Sequence, residues 1–449
     1  MQKLTRRSFV TKSAAAAAGV LVMPGLTRHL GNKKVNLAII GVGGRGSENL
    51  NVCLNENIVA LCDTDESQLA KWSEKFPQAK KFRDFRVMFD KMAKKIDAVI
   101  ISTPDHTHFA AAMAAMEHHK HVYVEKPLAH NIWQLRTLVK AAKRYKVINQ
   151  LGNQGHTTIG IRRIKEWYEA GVLGNVKEVI AWFDGPAFSQ KGYFLKPDSY
   201  PPKEEPIPSG LDWDLWLGPA EFRPYSHYYL PRFWRGWYEL GNAELGDWAC
   251  HTLDAPFWSL DLGMPVSVDS IIRSPGPDTF ISDQSQLKFE FEARVNKPPV
   301  TLHWYEGGLK PENRPEWGLP SIGGSGMIMV GDKVSLMTGG RPDNPKLLLP
   351  QDEWKHFTEN MPAETIPRVE GGPQAEFLAA IKGDGPMPVS DFAYGARLTE
   401  MALIGVLSQR FNTRIEYDAL KMKVTNHSDF DRYIKEPVRK GWEYGEDLW

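Results

Sequence analysis

The apolar run Val35-Asn36-Leu37-Ala38-Ile39-Ile40 leads without a break into Gly41-Val42-Gly43-Gly44-Arg45-Gly46. Few junctions constrain a fold so tightly. A short run of this kind predicts a buried parallel strand, and Gly41, Gly43 and Gly46 fit the G-x-G-x-x-G spacing. The first glycine permits the tight turn, the second lets the backbone approach a pyrophosphate, and the third lets the next helix pack closely on the strand. The amino end of that helix then faces the phosphates. The glycine pattern alone is weak, so the residues after it decide its meaning.

A second apolar run, 58–62, ends on Asp63, twenty-two residues after Gly41. An acid at that place is expected to hold a ribose diol. Asp63 is followed by Thr64 and Asp65 with no arginine beside it, which favours NAD over a 2'-phosphorylated dinucleotide. A helix is predicted around 67–76, a strand at 98–102, a turn at 103–108, a helix at 109–118 and a strand at 121–124. Such alternation predicts a doubly wound parallel sheet, with ligands at the carboxyl ends of its strands. Thr103, Pro104, His106, Glu125 and Lys126 all fall at such ends, so the first four join Gly44 and Arg45 as expected cofactor contacts.

The chain has 449 residues, enough for two unequal domains: a dinucleotide-binding domain at 33–152 and a substrate and oligomerisation domain at 153–449. Its formal charge is +1, from 55 basic and 54 acidic residues. No global field would therefore draw it to nucleic acid or an anionic membrane. The cysteines Cys53, Cys62 and Cys250 are odd in number and scattered, which argues against a disulfide framework. Arg6-Arg7 precede a short apolar stretch, 14–23, and residues 1–30 read as a twin-arginine export signal directing the protein to the periplasm. No later run approaches membrane-spanning length. Three histidines in His118-His119-Lys120-His121 lack recognised ligand spacing, so no metal is expected.

Glu125-Lys126-Pro127-Leu128 closes the strand that starts near His121. Together with Thr103-Pro104, the glycine run, Ala170-Gly171-Val172-Leu173-Gly174-Asn175-Val176, the Leu211–Pro219 segment and the Gly246–Asp254 segment, it resembles the glucose-fructose oxidoreductase, inositol dehydrogenase and MocA (Gfo/Idh/MocA) family in its exported bacterial branch. The resemblance implies that Lys126 and an Asp-x-x-x-His pair, here Asp247 and His251, line the nicotinamide and substrate. Residues at i and i+4 share one helix face, so the two could also aim at one small molecule on spacing grounds alone. Oxidising a carbinol requires a base for the hydroxyl proton. His251 is expected to titrate near working pH, and either it or Lys126 could take the proton. Asp247 would orient the substrate or tune its neighbours.

Fifteen tryptophans are unusual, and several gather between Trp213 and Trp258. In the aromatic stretch 225–238, Arg235 is the expected substrate contact, with Tyr228 and Trp237 behind it. Aromatic faces stack on sugar rings and arginine donates to hydroxyls. Beyond Asp254, alternating runs at 286–292 and 300–305 predict an open, mostly antiparallel sheet. A strand pair at 326–330 and 333–337 is expected to turn at Gly331-Asp332. A helix over 391–409 would leave Arg397 and Glu400 to solvent. The resemblance implies a homo-oligomer. The expected activity is NAD-linked oxidation of a secondary hydroxyl, C3 favoured, on a sugar or glycoside; the alternative is an NAD-dependent glycoside hydrolase.

Overall fold

The protein is described from a computed structural model covering residues 33–449. The export segment expected at 1–30 lies outside the described residues. The strands β1 (Asn36–Ile40), β2 (Asn57–Cys62), β3 (Lys80–Phe82), β4 (Ala98–Ile101), β5 (His121–Glu125) and β6 (Asn149–Gly152) form one sheet in the order β3-β2-β1-β4-β5-β6. Every pairing in it is parallel. The order reverses between β1 and β4, and a ligand crevice opens at such a switch point.

Alternate residues of β1 feed opposite layers. Ala38 and Ile40 join a core with Met88, Phe89, Val99 and Met113, while Leu37 and Ile39 join a second core with Leu50, Trp72 and Tyr123. Phe377, Leu378 and Ile381 enter that second core from the helix Gly372–Lys382, far along the chain. The helix expected to begin at 109 begins instead at Asp105, with Pro104 as its N-cap. The sequence 103–108 looks like a turn because Thr-Pro-Asp is one. Proline also suits the start of a helix, where no N–H partner is lost.

Nine strands build the second sheet: β7 (Val176–Trp182), β8 (Ser267–Arg273), β9 (Ser285–Phe291), β10 (Val300–Glu306), β11 (Gly326–Gly331), β12 (Leu336–Gly339), β13 (Lys346–Leu347), β14 (Ile415–Asp418) and β15 (Lys423–Val424). Their order is β13-β12-β11-β7-β10-β9-β8-β14-β15, antiparallel except where β10 meets β7. Leu287, Phe289 and Phe291 of β9 and Leu302 and Trp304 of β10 point inward, as the period of two requires. The helix Phe392–Phe411 covers that face so closely that a Cβ on Gly405 would lie 2.5 Å from the Phe289 ring.

Two local expectations change. The β11–β12 ladder stops at the Met329–Leu336 pair, so the connection is longer than a two-residue turn. Asp332 is committed elsewhere, accepting from the Asn175 backbone N–H at 2.8 Å and its side-chain amide at 2.9 Å. Arg397 faces solvent, but Glu400 is fully buried. It accepts from Arg136 Nε and Nη2, both at 2.6 Å, and from Tyr417 Oη at 2.8 Å. Helical period placed Glu400 outside only because its partners lie 264 and 17 residues away. Removing Glu400 leaves the buried Tyr417 hydroxyl and the partly exposed Arg136 guanidinium without their acceptor. Glu400→Ala is therefore expected to lower unfolding stability by about 2 kcal/mol in a denaturant titration.

The chain's last residues return to the first sheet's helices. Glu436 pairs with His130 Nδ1 at 2.7 Å and accepts from Asn131 at 3.2 Å. Trp449 donates from its indole to Thr137 Oγ1 at 2.9 Å. Among the described residues no helix is long and apolar enough to cross a membrane.

Candidate active site

The glycine loop takes the form its spacing predicts. Gly41 has φ +79°, and a Cβ there would sit 2.7 Å from the Ser102 carbonyl oxygen. A Cβ on Gly46 would lie 1.9 Å from the Gly41 carbonyl oxygen. By contrast, nothing approaches within 4 Å of a Cβ built on Gly44, so that part of the loop faces open space. The helix Gly44–Val52 starts there, and no side chain caps its first N–H groups. Trp72 buttresses the turn from behind, donating to the Val42 carbonyl at 3.0 Å.

Asp63 stands at the end of β2 with its carboxylate over the loop. One oxygen accepts from Val42 N at 2.9 Å and the other from Asp65 N at 3.0 Å. Burial raises its carboxyl above the ordinary value against these hydrogen bonds. Glu125 and Arg45, expected as separate cofactor contacts, are paired at 3.1 Å. Glu125 also accepts from Asn49 at 2.9 Å and Gln154 at 3.2 Å, so it ties the glycine helix to β5. The Thr103 hydroxyl is buried at the end of β4 without a partner.

His106 does not fit its expected cofactor role. Its ring faces away into the protein, with Nδ1 3.1 Å from the Leu240 carbonyl and Nε2 3.0 Å from the Trp216 carbonyl. Both ring nitrogens lie against carbonyl oxygens, and burial lowers its pKa to about 3, so the neutral ring donates to one of the two. Placing the helix start at Asp105 explains this, because His106 then lies in the first helical turn.

Across the crevice, Lys126 follows directly on β5. Its ammonium donates to Asp247 Oδ1 at 2.6 Å and to the Asp247 carbonyl at 2.7 Å. Arg235 reaches the same Oδ1 through Nε at 3.4 Å. Burial alone would raise the Asp247 carboxyl, but the charges of Lys126 and Arg235 hold it well below the usual carboxylate range. Asp247 and His251 share the helix Ala243–Thr252, one turn apart. That helix is fixed at its start by Asp105, which accepts from both the backbone and side-chain N–H of Asn242 at 3.2 Å.

His251 does not titrate near neutrality as its residue type suggests. Burial, followed by the charges of Lys126 and Arg341, pushes its ring well below the ordinary value. It is 2% exposed, and its Nδ1 is buried without a partner. One nitrogen of a neutral imidazole carries no proton and can accept a hydrogen bond.

The aromatic stretch divides. Arg235 comes to Asp247, with its guanidinium 4.3 Å from the Trp234 ring centre and 4.9 Å from that of Tyr193. Trp237 does not reach the site. It is 2% exposed, packs on Phe280 and Tyr229, and donates to the Tyr228 carbonyl at 2.9 Å. The Tyr228 hydroxyl is turned to Asp198 at 2.9 Å. Trp248 stands edge-on to His251 and stacks on Phe183. Asn153 was missed altogether. It follows β6, is fully buried, and neither atom of its amide has a partner. A polar residue immediately after a parallel strand was the signal available for it.

A family model described as "Oxidoreductase family, NAD-binding Rossmann fold" matches residues 35–153, and its companion, the C-terminal alpha/beta domain, matches 157–289. The chain belongs to the Gfo/Idh/MocA oxidoreductase family. A glycosyl hydrolase family 109 protein of Solibacter usitatus is 32% identical over 172 residues, 32% of this chain and 38% of the relative. Myo-inositol 2-dehydrogenase of Thermotoga maritima is 27% identical over 143 residues, 31% of this chain and 42% of the relative. The match thus spans about two fifths of these relatives' length. WlbA dehydrogenase of Bordetella pertussis, solved with NADH and UDP-GlcNAcA, aligns with TM-score 0.60 at 16% identity over 86% of this chain and 99% of that one. Levoglucosan dehydrogenase, solved with NADH and levoglucosan, gives 0.57 at 17% identity over 86% and 99%. These two structures share the fold.

NAD is the cofactor of this Gfo/Idh/MocA chain, and the loop geometry suits it. The steric limits at Gly41 and Gly46, the open space over Gly44 and the uncapped helix start form a pyrophosphate cradle. Asp63, the acid expected to hold a ribose, stands at the end of β2 and accepts from the loop's Val42 N. Asp63→Ala is expected to cost about 2 kcal/mol of NAD affinity, roughly 30-fold in Kd by calorimetric titration. Unchanged affinity would remove Asp63 from the ribose site.

Proposed function

We propose that the protein oxidises a secondary hydroxyl of a sugar or glycoside, with C3 favoured, using NAD that it holds tightly after export. The observation carrying this reading is the cluster of Lys126, Arg235, Asp247 and His251 at the carboxyl end of β5, beside the glycine loop. When bound, the nicotinamide accepts or returns a hydride. His251 takes the hydroxyl proton through a neutral ring nitrogen. Lys126 stabilises the developing alkoxide, and Asp247 holds the Lys126 ammonium in place. Arg235 donates to a neighbouring sugar oxygen, and Asn153 offers both a donor and an acceptor to the bound pair. Solved structures of like fold with UDP-GlcNAcA or levoglucosan support a sugar as substrate. A homo-oligomer is part of the same reading.

A second reading has one specific support, the 32% identity to a glycosyl hydrolase family 109 protein. In it, oxidation, elimination, hydration and reduction would release an aglycone with no net redox change. Incubating the purified holoenzyme with a chromogenic glycoside separates the two. A stable keto-glycoside supports the oxidoreductase, whereas free aglycone with unmodified sugar and no added partner supports the hydrolase and overturns the first reading.

A further inference from the structure

Glu244 lies on the same helix as Asp247 and His251, three residues before the one and seven before the other. Spacings of three and seven fall along one face, so these groups form a single stripe. Glu244 is 2% exposed, and its Oε2 is buried with no hydrogen-bond partner among the described residues. The main chain makes room for it: a Cβ on Gly185 would lie 2.4 Å from Glu244 Oε1. Immediately before it, Ala243 has φ +56°. Left-handed backbone costs a non-glycine residue about 1–2 kcal/mol and is retained where the surroundings hold a working geometry.

A buried carboxyl without a partner is expensive unless a ligand completes it. We propose that Glu244 is a further substrate-binding residue of this site, its unpartnered carboxyl engaging a hydroxyl of the sugar beside the one held by Lys126 and His251. The inference rests on the sugar-oxidation reading for its substrate class. The charged groups acting on Glu244 are Asp247 on its own helix, Glu306 on β10, Lys126 after β5 and Arg235 from the aromatic stretch. Burial first, and then the Asp247 and Glu306 charges, push its carboxyl well above the usual range against Lys126 and Arg235. Protonated, it can donate as well as accept. Glu306, itself pushed up to about 7 by burial, bonds instead to Trp304 at 2.9 Å and to Gln409.

The sign of the pH effect follows. A carboxyl that binds as its protonated form loses that contact as pH rises through its raised pKa. In wild-type holoenzyme, kcat/KM for p-nitrophenyl glucosides, read as reduction of bound NAD, is expected to fall on the alkaline side. Glu244→Gln keeps a donor and cannot ionise, so this variant loses the alkaline limb while staying within roughly tenfold of wild type. Glu244→Ala lowers kcat/KM by roughly 10- to 100-fold without loss of NAD. A purely structural role would shift the unfolding midpoint of both variants and leave the limb in place. Persistence of the limb in Glu244→Gln, or an unchanged kcat/KM in Glu244→Ala, overturns the inference.

Infrared difference spectra of holoenzyme separate this failure from that of the functional reading. A protonated-carboxyl band absent from Glu244→Gln should shift when p-nitrophenyl glucoside is added. If the band shifts but no glycoside reduces the bound NAD, the oxidation reading fails and the binding role stands. A band that does not shift removes Glu244 from the sugar site.

Discussion

Replacing Lys126 by alanine is expected to lower turnover by about 10²–10⁴-fold while NAD remains bound. Its ammonium makes both of its contacts with Asp247, and neither is directed at the glycine loop. The substitution leaves the Asp247 carboxylate buried with Arg235 as its remaining cation, at 3.4 Å, so some stability is lost as well. Single-turnover reduction of bound NAD, measured beside the unfolding midpoint, separates the chemical effect from the structural one. Lys126→Arg keeps the charge and should recover stability without recovering the rate, because a planar fork cannot occupy the position of a compact ammonium. Near-normal turnover in Lys126→Ala would remove this residue from the reaction.

Gly46→Ala is expected to abolish NAD retention. The added methyl would stand 1.9 Å from the Gly41 carbonyl oxygen, a backbone atom that cannot rotate aside. The helix Gly44–Val52 must then withdraw from β1, and the phosphate cradle opens with it. Overpacking of this kind costs about 1–3 kcal/mol in stability, with the larger effect on the ligand the loop encloses. Dinucleotide released on denaturing equal amounts of wild-type and variant protein measures the loss. Equal release would show that the loop tolerates the methyl and that NAD is held by other groups.

Local features of the chain were readable in proportion to how local their causes are. The glycine loop and β1 are specified within a dozen residues, and the parallel order β2-β1-β4 follows from alternating strands and helices. The Asp247–His251 pair is legible because four residues make one helical turn. His106, Trp237 and Glu400 depart from the expectation of their residue type for a common reason. Each is satisfied by groups distant in sequence or by dense packing, such as the Leu240 carbonyl for His106 and Arg136 for Glu400. Residue type alone cannot distinguish such a buried, paired group from one awaiting a ligand. Asn153 and Glu244 escaped notice for the converse reason. Their lack of partners is a property of three-dimensional surroundings, invisible until the packing around them is known.

The helix Gly372–Lys382 carries a consequence for the order in which this protein can be completed. Phe377, Leu378 and Ile381 fill a layer of the first sheet's core, yet they are synthesised more than two hundred residues after β6. A nascent chain that has emerged only through the first sheet lacks that layer, so Leu37, Ile39 and Leu50 keep an uncovered apolar face until Ile381 has been made. The first sheet's core is therefore completed out of the amino-to-carboxyl order in which independent units fold.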